Sequence, residues 1–213
     1  MTFFDDDFWP APDYLATITG VLLRHAEVAV VTGKVIADGI SGTGLDGAAA
    51  RTVLESASAT GELPSCRPVF NAYGCNMSLR LELVRKNGLY FDEQLPLYGW
   101  YEGVDFSRQL SSFGAVVHVE EACGIHLGVK SGRQSGVRLG YSQVANPVYL
   151  ARKGTVGWSY AIASMTSRTA KNMVYSVRPE PFIDRRGRLK GNAHGWLDLI
   201  RGGLHPNRIL TLQ

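Results

Sequence analysis

The sequence predicts a mixed α/β fold with a basic, mainly helical C-terminal region, and three observations carry that prediction. Val28 to Ile36 is a β-branched run of the kind that fills a buried strand. Tyr14, Leu15, Ile18, Val21 and Leu22 recur at helical spacing behind Asp13, a residue suited to cap the helix they form. Apolar residues make up 45% of the 213 and mean hydropathy is close to zero, enough to bury one sizeable core without disulfides or metal.

Each element follows in chain order. Phe3-Phe4 reads as a strand end, Asp5-Asp6-Asp7 follows it, and Phe8-Trp9-Pro10-Ala11-Pro12 reads as an aromatic, proline-rich turn into the first helix. After the strand at Val28, the segment Gly39 to Gly47 holds four glycines and reads as a loop; it lacks the GxxxxGK[ST] pattern of a phosphate cradle. Leu79 to Lys86 has helical spacing, and Asn87-Gly88 supplies a left-handed stop. A further helix is expected from Glu102 to Ser112, closed by Gly114. Ala115 to Val119 then forms a short strand delivering His126 into a glycine-flanked loop, Gly124 to Gly128. Beyond residue 130, Gln143 to Lys153 and Trp196 to Arg201 are the helical candidates. No internal repeat is present.

Charge divides the chain. Residues 1 to 129 carry 8 Lys/Arg and 16 Asp/Glu, whereas residues 130 to 213 carry 14 and 3. The domain expectation follows this division, with one domain over 1–130 and a basic helical extension over 131–213. An acidic region suits a cation; a basic one suits phosphates or anionic headgroups, or is simply a solvated tail. Cys66, Cys75 and Cys123 are odd in number and lack CxxC spacing, and no charged-then-apolar leader precedes Phe3. The expected location is therefore the cytoplasm. No run approaches the roughly eighteen consecutive apolar residues of a spanning helix, which leaves peripheral contact with the inner face of the plasma membrane through the basic region.

Three adjacent carboxylates repel one another, a penalty that a bound divalent cation reverses, and strand ends face the crevice where α/β proteins bind ligands. Mn2+ or Mg2+ bound there with diphosphate oxygens would neutralise a departing nucleoside diphosphate. A solvated acidic turn is the bland alternative.

Several segments carry a resemblance. Phe3-Phe4-Asp5-Asp6-Asp7-Phe8-Trp9-Pro10 followed by Pro12-Asp13-Tyr14-Leu15 resembles the DxD-type segment of family 2 glycosyltransferases, which have the GT-A fold. Gly74-Cys75-Asn76-Met77-Ser78-Leu79-Arg80 resembles their acceptor-side segment, and Lys86 to Glu93 their GxFDE turn. Tyr98 to Arg108 is similar to the segment that carries the catalytic base, and Ile125-His126-Leu127-Gly128 to the late histidine loop. The likeness covers residues 3 to 130 and continues weakly to 153.

The resemblance implies an incomplete GT-A-like, Rossmann-like mixed sheet flanked by helices. It implies a metal-dependent enzyme that transfers a sugar, with inversion, from a nucleotide diphosphate sugar donor to a glycan or lipid-linked acceptor. Asp5, Asp6 and Asp7 would bind the donor diphosphate; Asp5, Asp7 and His126 would hold the metal; Gly74, Cys75, Asn76 and Trp100 would meet the acceptor. The family places its base directly after the glutamate, where this chain has Gly103, so Glu102 and Asp105, three residues apart on one side of a helix, are the candidate catalytic carboxylates. Family members also carry a nucleotide-binding run of strands and helices before the DxD strand. Its expected absence makes the chain a gene fragment, a chain begun at an internal methionine or half of a split protein.

Gly103 also supports a rival expectation, a catalytically degenerate remnant that binds glycan or protein. The basic residues from Arg133 to Lys190 lack a zinc, helix-turn-helix or RNA-binding signature, so nucleic acid is not an expected partner. Cys66, Cys75, Cys123, His118 and His126 fit no structural zinc spacing and read better as buried free thiols and separate histidines.

Overall fold

The computed structural model describes residues 1–56, 64–129 and 135–212. The elements run β1 (Thr2–Phe4), β2 (Phe8–Pro10), α1 (Tyr14–Arg24), β3 (Val28–Asp38), α2 (Gly47–Ser56), β4 (Cys66–Pro68), β5 (Asn76–Leu79), α3 (Leu81–Asn87), α4 (Glu102–Leu110), β6 (Ala115–His126), α5 (Gly136–Lys153), α6 (Trp158–Tyr175) and α7 (Arg185–Ile200). The described residues thus form a mixed α/β structure with seven helices and a mixed six-stranded sheet. Met1–Tyr90 groups with Phe106 onward through β6 as one region; Phe91–Asp105 groups with α5 onward as a second. The sequence expectation divides the chain at residue 130 and leaves 91–105 with the first part. That boundary, and Arg133, lie outside the described residues.

In the first region the strand order is β1-β5-β3-β6-β2, and β4 also pairs with β6. Among the described residues only β3 and β6 pair in parallel; the other pairings are antiparallel. Tyr14, Ile18 and Val21, spaced to share one face of α1, are all buried and pack with Val28, Val31, Val117 and Val119. Gly33 permits this approach, because a Cβ there would lie 2.5 Å from the Tyr14 ring. Arg80 ties the far end of α1 to β3, donating to the carbonyls of Leu22 in the last turn, His25 at the C-cap and Val28 at the start of β3.

Several expectations are corrected here. Phe8–Pro10 is a strand, not a turn: its backbone pairs with β6, and Pro10 closes an edge strand where its missing N–H costs little. Leu79 ends β5 and is buried, so the helix begins only at Leu81. A register shift at Gly33/Lys34 absorbs Glu120, Glu121 and Ala122, and a second at Val35/Ala37 absorbs Ile36, so β6 continues to His126 instead of stopping at Val119. His126 therefore ends a strand and does not sit in a loop. Asp13 occupies the N-cap position without a side-chain capping bond. The glycine segment after β3 contains a 3-10 turn at Gly39–Ser41, while Gly88 stops α3 at φ 60°, as its sequence predicts.

The second region is helical. Tyr141, Val144, Ala145, Val148, Met165, Leu204 and Ile209 form one core cluster, and Leu95, Val104, Leu150, Ala151, Val156 and Ala161 another. α5 and α7 touch through glycines: a Cβ at Gly140 would overlap the Arg188 backbone, and one at Gly191 would overlap that of Val137. No helix among the described residues is long and apolar enough to cross a membrane.

Candidate functional site: a carboxylate and histidine cluster

Strand register builds the cluster. Parallel pairing of β3 with β6 sets Asp38 beside His126, and antiparallel pairing of β2 with β6 sets Phe8 on the other side of the same residue. Asp7, immediately before Phe8, is thereby carried to the far ring nitrogen. His126 Nε2 lies 3.2 Å from Asp7 Oδ1, and Nδ1 lies 3.0 Å from Asp38 Oδ1. Asp38 is itself held, accepting from the Tyr73 hydroxyl at 2.9 Å and the Ile40 amide at 3.0 Å. Asp7 Oδ2 accepts the Val129 amide at 2.8 Å. Asp38 and His126 both end parallel strands, on the side of a sheet where α/β proteins place ligands.

Asp5 completes the set. One ligand atom from each of Asp5, Asp7 and His126 lies within 4.8 Å of the other two. Octahedral ligands about 2.1 Å from a cation stand about 3 to 4 Å apart, so small side-chain rotations would close the three on an ion. Two carboxylates with an imidazole suit manganese better than magnesium, since imidazole favours transition metals. Asp38 Oδ1 lies against Nδ1, which leaves Nε2 facing Asp7. Asp38 thus has the relation to His126 that outer carboxylates have to metal-bound imidazoles. Protein packed around the Asp5 carboxyl pushes its pKa above the usual 3.8; His126 opposes this, and Asp7 and Asp6 add to it. The residue is nonetheless exposed, which limits the penalty. Asp6, also exposed, is outside the triplet. The three thiols are free, and among the described residues none belongs to a group able to hold a metal.

The other expected residues fare differently. Glu102 begins α4, exposed, with its carboxylate folded beside Gly99. Asp105, one turn on, is fully buried, and its Oδ2 lies 2.7 Å from Lys153 Nζ. The same ammonium reaches Asp92 at 2.6 Å, and the Tyr149 hydroxyl donates to that Asp92 oxygen at 2.9 Å. Burial alone would raise the Asp92 pKa; the bonds from Lys153, the Gln94 amide and Tyr149 outweigh it and leave it below 3.8. Burial would likewise lower Lys153, but Asp105 and Asp92 hold it above 10.5. Asp105 is corrected from a candidate base to an internal ion-pair partner.

Cys75 and Asn76 are corrected from acceptor contacts to core. Asn76 is fully buried, bonded to the Thr32 hydroxyl at 2.5 Å and to the Gly33 amide at 3.2 Å, and Cys75 packs in the α1 core. Gly74 is exposed with open space around its Cα. Trp100 is half-buried; its ring stacks with Tyr98, meets Tyr101 edge-on and lies under the Arg168 guanidinium. Sequence reasoning missed Asp38, Tyr73 and Lys153. For Asp38 a usable signal existed, a lone carboxylate at the end of a β-branched run.

No family model, curated protein or solved structure matches this chain.

Proposed function

We propose that the chain serves a divalent-cation-dependent, family 2-like glycosyltransferase. The substrates are a nucleotide diphosphate sugar and a glycan or lipid-linked acceptor, and transfer proceeds with inversion. The observation that carries this reading is the convergence of Asp5, Asp7 and His126 at the carboxyl ends of the parallel strands. Asp5 and Asp7 supply hard oxygens and His126 supplies Nε2, oriented by Asp38. A cation bound there would neutralise the leaving diphosphate. Of the two candidate bases, Glu102 is exposed at the start of α4, whereas Asp105 is engaged by Lys153.

Calorimetric titration with Mn2+, alone and with uridine diphosphate glucose, tests the proposal. Binding that is strengthened by the nucleotide sugar and lost in Asp7→Ala supports it. Failure to bind Mn2+ in either condition would falsify it.

A specific observation favours a second reading, a non-catalytic glycan- or protein-binding relative. Gly103 stands where the resemblance places the base, and Asp105 is sealed in an ion pair. Donor and Mn2+ binding without turnover, unchanged by Glu102→Gln, identifies that case.

A further inference from the structure

We infer that the groove beside α6 in the second region binds a saccharide carrying an anionic group. As a statement about the acceptor it rests on the reading above, but its test does not. The groove, of about 360 Å³, is lined by Tyr101, Tyr160, Ser164, Ser167, Arg168 and Lys171, and no carboxylate lines it. That volume falls at the lower end of ligand cavities, about 300 to 1,000 Å³, the scale of a small ligand.

Its chemistry is selective in two ways. Arg168 and Lys171 stand one turn apart on α6, both exposed. Among the described residues neither is paired with a carboxylate, whereas Arg185, Arg208 and Lys153 all are. An arginine fork beside an ammonium recognises a phosphate or carboxylate. Tyr101 and Tyr160 meet edge-on with centroids 6.3 Å apart, supplying amphipathic ring surface for the C–H face of a sugar. Ser164 hydrogen-bonds the Tyr101 hydroxyl and so fixes that ring, and Ser167 adds a hydroxyl at the rim.

The backbone delivers Tyr101 to this place under strain. Leu97 (φ 62°), Gly99 (φ 58°) and Tyr101 (φ 76°) all adopt left-handed conformations just before α4. For residues with side chains that conformation is strained, and such outliers concentrate at ligand sites. A second cavity, about 640 Å³ beside Trp9 in the first region, sets Arg51 against Asp13, Glu55 and Glu121, a net negative lining that does not favour an anionic ligand.

The experiment measures binding of glucose 6-phosphate, glucuronate, glucose and inorganic phosphate by calorimetry at low salt with a chelator present. Excluding divalent cations separates failure here from failure of the metal proposal. At least one of the two anionic sugars should bind at least tenfold more tightly than both glucose and phosphate; which of them binds tells phosphate from carboxylate. Arg168→Gln and Lys171→Gln, both on the exposed face of α6, should each weaken that binding about tenfold with the circular dichroism unchanged. Arg201→Gln, outside the groove, should leave it unaltered. Binding of both anionic sugars no tighter than that of phosphate or glucose, loss with Arg201→Gln to the same degree, or no binding of either anionic sugar overturns the inference.

Discussion

The two regions use carboxylates in opposite ways. In the first, Asp5 and Asp7 gather at strand ends with one imidazole and no lysine or arginine paired to them among the described residues. In the second, Asp92, Asp105, Glu180 and Asp198 each have a lysine or arginine partner, and the cations left over stand on the surface. Whether a carboxylate is an ion-pair partner or an open oxygen ligand thus depends on the cations its neighbours supply.

The sharpest way to break this comparison is to remove the internal cation. Lys153→Met should destabilise the second region by about 3 to 5 kcal/mol, because it strands the buried Asp105 charge. Chemical denaturation followed by circular dichroism measures it, and a loss under about 1 kcal/mol would mean that Asp105 does not depend on the pair.

Next in size is the support behind the histidine. Asp38→Asn should weaken Mn2+ binding about 10- to 100-fold, since it removes the carboxylate that orients Nδ1. An unchanged affinity would make His126 a structural ion-pair partner only.

Acid and base should sharpen the contrast further. The folded pKa of Asp92 lies below 3.8, so the stability it contributes is present above that value and lost as pH falls through the folded pKa. Lys153 is held above 10.5, so its contribution is present below that value and lost as pH rises through the folded pKa. Denaturation midpoints should therefore fall below about pH 4 and again above about pH 10.5, and Lys153→Met should flatten both limbs. The smallest expected effect is at Asp6, outside the ligand triplet. Asp6→Asn should change Mn2+ affinity by no more than about twofold, the scale of a screened surface charge.

Legibility in the sequence tracks how local each cause is. The spacing of Tyr14, Ile18 and Val21 exposes α1 because one element's own face determines it. The Asp5, Asp7 and His126 set was legible only through the family resemblance, and the register of β2, β3 and β6 supplies its geometry. That register also brings Asp38 to His126 across 88 residues of sequence, a pairing that no local pattern announces even though Asp38 itself ends a β-branched run. Asp105 reads from sequence as a candidate catalytic carboxylate because its partner Lys153 lies 48 residues on. α6 escaped notice for a different reason. It buries only Ala161, Met165 and Asn172, which form no apolar stripe.

The turn from Leu97 to Tyr101 has an evolutionary consequence. Glycine occupies left-handed backbone without steric cost, so Leu97→Gly relieves conformational strain of order 1 kcal/mol, partly offset by the freedom glycine gains when unfolded. A library at this codon selected for survival after heating would enrich glycine. The same library selected for saccharide capture would deplete it, because the turn that holds Tyr101 in place would loosen. Opposed enrichment in the two selections would record, at a single position, the conflict between a lineage's need to fold and its need to bind.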